Sequence, residues 1–163
     1  MNKFSVKKLT MAGVMAALVF VMTYVPKVPV PVTGGYVHLG DGAIFLSVLL
    51  LGPLGIPAAA IGSGLSDLLG GYMVYVLPTM LIKAWMALIV WKGWKEGSWL
   101  RAVASFLLAE VVMVLGYYGC EHALYGAAAA WAAVGPNCIQ GIAGVALGLV
   151  CHGLYPRMKR IVK

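Results

Sequence analysis

Charge is almost absent from long stretches of this chain. Where it occurs, it falls at the two ends, in one central loop, or singly inside an apolar run. Only 5 acidic and 12 basic residues interrupt 163 residues that are 62% hydrophobic. Soluble domains carry about a quarter charged residues, against 10% here, so the chain is built for a bilayer. A hydrocarbon core of roughly 30 Å takes about 20 helical residues per crossing. Backbone groups cannot stay unpaired in lipid, which leaves helices or a closed barrel. The apolar runs are continuous rather than alternating. The fold class is therefore an all-α integral membrane protein, one membrane domain over residues 1–163 with no separate soluble part.

Six transmembrane helices are predicted: Lys8 to Tyr24, Leu39 to Leu51, Gly55 to Leu69, Leu77 to Trp91, Ala102 to Tyr118 or beyond, and Val134 to Leu154. The second and third are short and separated by Gly52-Pro53-Leu54-Gly55. They read also as one broken hairpin, but together are too long for a single crossing. Lys3, Lys7 and Lys8 precede or open the first span. Lys92, Lys95 and Arg101 lie between the fourth and fifth, and Arg157, Lys159, Arg160 and Lys163 follow the sixth. An even span count puts all of these on one side, which the positive-inside rule makes cytoplasmic. Both termini are expected in the cytoplasm, with the chain a multi-pass protein of the cell (plasma) membrane. Lys27 alone falls in an opposite-side loop. The net charge of +7 is then an orientation signal, with some attraction to anionic membrane lipid, and calls for no nucleic-acid partner. Met1 to Ala17 has the basic start and apolar core of a signal peptide, but the apolar run continues through Tyr24 and reads as a retained helix. Cys120, Cys138 and Cys151 are odd in number and lack metal-ligand spacing, so neither a disulfide framework nor a metal site is expected.

On this topology the polar residues gather toward the outer side. Glu110, Val114, Tyr117 and Glu121 share one helical stripe, Asn137, Gln140, Gly144 and Gly148 another, and Lys83 shares a face with Thr79 and Ala87. If these stripes face inward, an amine, two carboxylates and two amides meet aromatic rings, the composition of a site for a small polar ring compound. Ionisable residues inside spans are costly and are functional candidates by default. Lys83, Glu110, Tyr117, Glu121, Asn137 and Gln140 are thus the candidate substrate-binding residues. The competing account is structural: a Lys83–Glu110 ion pair, or Lys83 reaching outward to water. Asp41 and Asp67 sit near helix ends, where Asp41 suits a cap of the second span. The Pro- and Gly-rich loop Val25 to Val37 cannot be helical and favours extended geometry. It is a candidate lid over residues 25–38, with Tyr36, His38 and Asp41 at the pocket rim. An ordinary inter-helix connection is the alternative. Ala12 and Ala16, with Gly13 and Ala17 beside them, make a small-residue face that allows close helix approach.

Together these stretches resemble the substrate-binding S component of energy-coupling factor (ECF) vitamin transporters, the riboflavin-transporter-like group. The resemblance rests on Ala12-xxx-Ala16, on Gly35-Tyr36-Val37-His38-Leu39-Gly40-Asp41-Gly42-Ala43 continuing to Leu51-Gly52-Pro53, on Gly62-Ser63-Gly64-Leu65-Ser66-Asp67-Leu68-Leu69-Gly70-Gly71-Tyr72, and on Gly135-Pro136-Asn137-Cys138-Ile139-Gln140-Gly141 with the ending Leu154-Tyr155-Pro156-Arg157. The family often shows Asn where His38 stands. The resemblance implies a subunit that captures a vitamin-like small molecule at the outer face and is driven by partners: an ECF transmembrane scaffold subunit and two ATPase subunits. It also implies that the S component topples in the membrane, with the Ala12/Ala16 face docking the scaffold.

No Gly-xxxx-Gly-Lys-Ser/Thr loop is present, so ATP hydrolysis is expected of the partners, and this chain is expected to be neither an enzyme nor a cofactor protein. Two other functions compete. In the first, Asp41 and Asp67 form the acid–base pair of an intramembrane enzyme; Gly40-Asp41 is similar to the Gly-x-Gly-Asp of membrane aspartyl proteases, but His38 stands where that motif has Gly. In the second, the chain is an autonomous proton-coupled carrier using Glu110. The ligand classes that suit the polar set are pyridoxine-like, a pyrimidine thiamine precursor, a queuosine precursor, or riboflavin itself.

Overall fold

The computed structural model describes residues 6–31 and 35–162, the side chains of 161 and 162 excepted; Lys3, Gly34 and Lys163 lie outside them. Among the described residues there are six α-helices: α1 (Val6–Tyr24), α2 (Gly40–Leu51), α3 (Gly55–Gly70), α4 (Val76–Gly93), α5 (Trp99–Tyr125) and α6 (Ala127–Val162). Two short strands, β1 (Val28–Val30) and β2 (Gly35–Val37), lie between α1 and α2. They pair antiparallel, Val28 opposite Val37, Pro29 opposite Tyr36 and Val30 opposite Gly35. The extended geometry expected of the Val-Pro repeats is thus a β-hairpin, since Pro29 lacks only the donor that an edge strand can do without.

By length and hydropathy five helical segments are able to cross a membrane, because α2, the turn at 52–54 and α3 form one apolar segment of 31 residues, Gly40–Gly70. That segment is folded back on itself. A side chain at Gly55 would lie 2.7 Å from the Ser47 and Val48 backbone, and Ser47 Oγ reaches the Gly55 carbonyl at 3.3 Å. A continuous helix would hold these residues about 12 Å apart. Gly52, at φ 58, and Pro53 make the reversal; a left-handed φ suits glycine, and proline cannot continue α2.

α5 and α6 are longer than hydropathy predicts, and α6 begins seven residues before the expected Val134. The Ala-rich start of α6 has high helix propensity, so helix continues where hydrophobicity has already fallen. Ser98 caps α5, its side chain accepting the Arg101 N–H. Gly126, at φ 85, ends it.

The apolar core fills the middle of the bundle. Phe45 of α2 and Phe106 of α5 stack at 4.7 Å, surrounded by buried Val48, Met86, Val90, Ala109 and Met113. Glycines on α6 set this spacing: a methyl at Gly148 would meet Phe45 and Phe106, and one at Gly144 would collide with Glu110. At one end of the bundle Lys159 of α6 bonds Glu96 at 2.6 Å and Arg101 Nε donates to the Gly93 carbonyl, which gathers the basic residues of the α4–α5 turn and the α6 end. The hairpin lies at the other end, where α1 finishes and α2 begins.

Candidate functional site

At the hairpin end, a cavity of about 390 Å3, measured out to its mouth, opens between the helices. Gly35, Tyr36 and His38 line it from β2 and the start of α2, and Asp67 from the end of α3. Tyr75 comes from the short turn before α4 and Thr79 from the first turn of α4, Tyr117 and Glu121 from α5, and Asn137 and Gln140 from α6. Five segments distant in sequence thus deliver three tyrosines and a ring of hydrogen-bonding groups to one place. Its enclosed interior is only about 30 Å3, room for about one water, so a ring enters only as the hairpin or the lining side chains move apart.

The hairpin is fastened over this cavity. Tyr36 Oη donates to Asp67 Oδ1 at 2.6 Å and lies 3.1 Å from Ser66 Oγ. Burial, reinforced by the Asp67 carboxylate, pushes the Tyr36 hydroxyl well above its ordinary range, so it remains a donor. The Lys27 ammonium sits over three rings, 4.1 Å from Tyr24, 4.4 Å from Tyr36 and 5.1 Å from Tyr72. Burial draws the Lys27 ammonium below the ordinary lysine value, against the pull of Asp67. His38 Nδ1 accepts the Gly40 N–H at 2.9 Å, which places the imidazole proton on Nε2. Burial holds the His38 pKa down at about 3, so the ring is neutral.

Beneath the cavity lies a closed polar network. Lys83 Nζ donates to Asp41 Oδ1 at 2.5 Å, with both side chains fully buried. Gln140 Nε2 donates to Asp41 Oδ2 at 2.7 Å, while Gln140 Oε1 accepts the His38 N–H at 3.0 Å. Every oxygen of Asp41 and both ends of the Gln140 amide are thereby engaged. The structural pairing expected between Lys83 and Glu110 is therefore corrected: Lys83 pairs with Asp41, because α2 and α4 pack side by side there. The cap expected of Asp41 is also absent, since its carboxylate turns inward and α2 starts with no side-chain cap. Glu110 lies across the α6 backbone at Gly141 and Gly144, and neither of its carboxylate oxygens has a hydrogen-bond partner among the described residues.

Of the sequence-predicted residues, Tyr117, Glu121, Asn137 and Gln140 come together at the cavity, as do Tyr36 and His38. Lys83 and Glu110 stand apart from its lining, and Asp41 is below it rather than at its rim. Besides Gly35 of the hairpin, three lining residues fell outside the predicted set. Asp67 is masked in the sequence by its place near a helix end, Tyr75 lies in a short turn with no periodicity, and Thr79 carries only the weak signal of sharing a face with Lys83. Ala12 and Ala16 are half-buried: a methyl at Gly62 of α3 would strike the Ala16 carbonyl, so part of the small face packs inside this chain. Gly13 and Ala17 face outward.

The Asp41–Asp67 enzyme pair is not assembled: Asp41 is held by Lys83 and Gln140, Asp67 by Tyr36. The three cysteines are free, and no cluster of metal-ligating side chains occurs among the described residues.

The family model for the S component of ECF-type riboflavin transporters matches residues 3–157. A thiamine precursor transporter, HmpT, of Lactococcus lactis subsp. cremoris (strain MG1363), is 32% identical over 161 residues, covering 96% of this chain and 92% of that protein. An uncharacterized protein of Pyrococcus woesei is 35% identical over 132 residues, 80% of this chain and 88% of its own length. Among solved structures, the S component of a bacterial ECF transporter superposes with a TM-score of 0.68 at 22% identity, covering 96% of this chain and 98% of that one, a likeness of fold. The chain belongs to the family of ECF-type riboflavin transporter S components.

Proposed function

We propose that this chain is the solute-capturing subunit of a vitamin or vitamin-precursor uptake system. It takes a small heteroaromatic compound at the outer end of the bundle and passes it inward with an ECF scaffold subunit and two ATPase subunits. The observation that carries this reading is the cavity opposite the basic end, walled by Tyr36, Tyr75 and Tyr117 with Asn137 and Glu121 among them. Flat aromatic walls suit a ring, and convergent amide and carboxylate groups suit its polar edge. The named relative carries a thiamine precursor, which makes a pyrimidine of that kind the first ligand to try. In this reading α2 and α3 each count as a crossing, giving six, with both termini in the cytoplasm and the chain in the cell membrane. The hairpin acts as a lid; hydrogen exchange across 28–37 slows when ligand is added if it closes, and an unchanged pattern reduces it to a connection.

The test is mass spectrometry of small molecules that co-purify with the chain. A nitrogen heterocycle is expected with the wild type and is lost or much reduced with Asn137→Ala. Recovery of no solute, together with no binding to a panel of vitamins and precursors, would end this reading. Uptake in cells lacking the partner subunits separates it from an autonomous carrier working through Glu110.

A further inference from the structure

Asp67 presents an acceptor that the protein itself does not use. Its side chain is 97% buried (3% relative exposure) and lines the cavity. Oδ1 takes the Tyr36 hydroxyl, but Oδ2 has no hydrogen-bond partner among the described residues. The Thr79 hydroxyl is a hydrogen-bonding neighbour of the Asp67 carboxylate and lies 3.0 Å from Tyr117 Oη, a pair in which either hydroxyl can donate. An unmatched buried oxygen bears its full desolvation penalty, larger for a charged group, and native structures rarely leave one without a reason. Glu121 also lines the cavity, and Asp41 beneath it is saturated by Lys83 and Gln140. Between the two aspartates, Asp67 is the one still open to a partner in the cavity.

We propose that Asp67 is a specificity-determining residue that accepts a hydrogen bond from an N–H group on the ligand's ring edge. The ligand class is then an aminated nitrogen heterocycle, one bearing an exocyclic amino group or a protonated ring nitrogen. Tyr36 has two parts in this: its hydroxyl fixes the Asp67 carboxylate, and its ring forms a wall of the cavity. Closing the hairpin and orienting the acceptor are therefore one event. This inference rests on the solute-capture reading above and names the chemistry that the site selects.

The test uses two matched probes, an aminopyrimidine and the pyrimidine that carries hydrogen in place of the amino group. Binding of each to the purified full-length chain is measured by calorimetry. Wild type is expected to prefer the aminopyrimidine by about tenfold or more, because the bare ring edge leaves Asp67 without a donor. Asp67→Asn keeps an oxygen for Tyr36 and turns an NH2 toward the ligand, so the preference should fall or reverse. A merely structural role would weaken both probes alike. Equal affinities in wild type, or equal losses in Asp67→Asn, overturn the role of Asp67. Binding of neither probe overturns the ligand class. In both cases the co-purifying solute decides the solute-capture reading separately. If Asp67→Asn does not fold, the wild-type preference alone decides.

Discussion

At the scale of residues, burial decides which polar group has which job. Lys83 is fully buried and forms its ion pair with Asp41, which Gln140 also holds. Breaking such a pair strands a charge in low dielectric, at about 3–5 kcal/mol. Lys83→Met should therefore lower the melting temperature sharply, and Lys83→Met with Asp41→Asn should recover much of the loss. Lys83→Met with Glu110→Gln should not; rescue by that second pair would show that Glu110 is the true partner. His38 makes a pH prediction. Its folded pKa is about 3 against the ordinary 6.5. Between those values the unfolded chain holds a proton that the folded chain does not, so stability rises with pH across the window and is lost on acidification. The slope from this group is at most about 1.4 kcal/mol per pH unit. Melting temperatures taken from about pH 7 down to about pH 5 should fall more steeply for wild type than for His38→Asn, and parallel curves would remove His38 from the account. The periodicity of α5 and α6 made Glu121, Asn137 and Gln140 legible as neighbours. It could not tell that Gln140 is consumed by Asp41 and His38, since those partners are 99 and 102 residues away.

At the scale of elements, glycines set how closely the helices pack. Gly144 of α6 faces Glu110 of α5 and Asp41 of α2 with no room for a methyl, whereas Gly13 of α1 has nothing within 4 Å. Gly144→Ala should destabilise by about 1–3 kcal/mol through forced displacement, and Gly13→Ala should leave stability unchanged or slightly higher. Thermal unfolding in one detergent compares them directly, and equal effects would mean that the α5–α6 spacing yields easily. The small residues of α1 and α6 were visible in the sequence, but their surroundings were not. Both patterns read as small-residue stripes, yet Gly144 is enclosed by the chain itself and Gly13 is open.

At the scale of the whole molecule, the bundle has two unlike ends. The hairpin, the tyrosines and the cavity are at one; Lys92, Lys95, Arg101 and the end of α6 are at the other. If the outer side of α1 is where the scaffold subunit docks, Ala12→Trp with Ala16→Trp should abolish uptake by the assembled transporter while the isolated chain keeps its ligand affinity. Because the Ala16 carbonyl packs on α3 at Gly62, Ala17→Trp is the cleaner variant and should act the same way. Normal uptake by both variants would move the docking surface elsewhere.

The sequence by itself determined the class of molecule, the position of its helices and its family. Those follow from hydropathy, helical period and contiguous motifs such as Gly35 to Ala43, all of which are local along the chain. It predicted six crossings, with one broken hairpin as the alternative for the second and third, because hydropathy does not register the reversal at Gly52 and Pro53. Only the tertiary structure decided the pairings. Asp41 met Lys83 rather than capping its helix, Glu110 was left across α6, and Asp67 entered the cavity with one oxygen unpartnered among the described residues. Each outcome depends on which faces of distant helices come within 3 Å of one another, and a charge in low dielectric takes whatever partner that packing supplies.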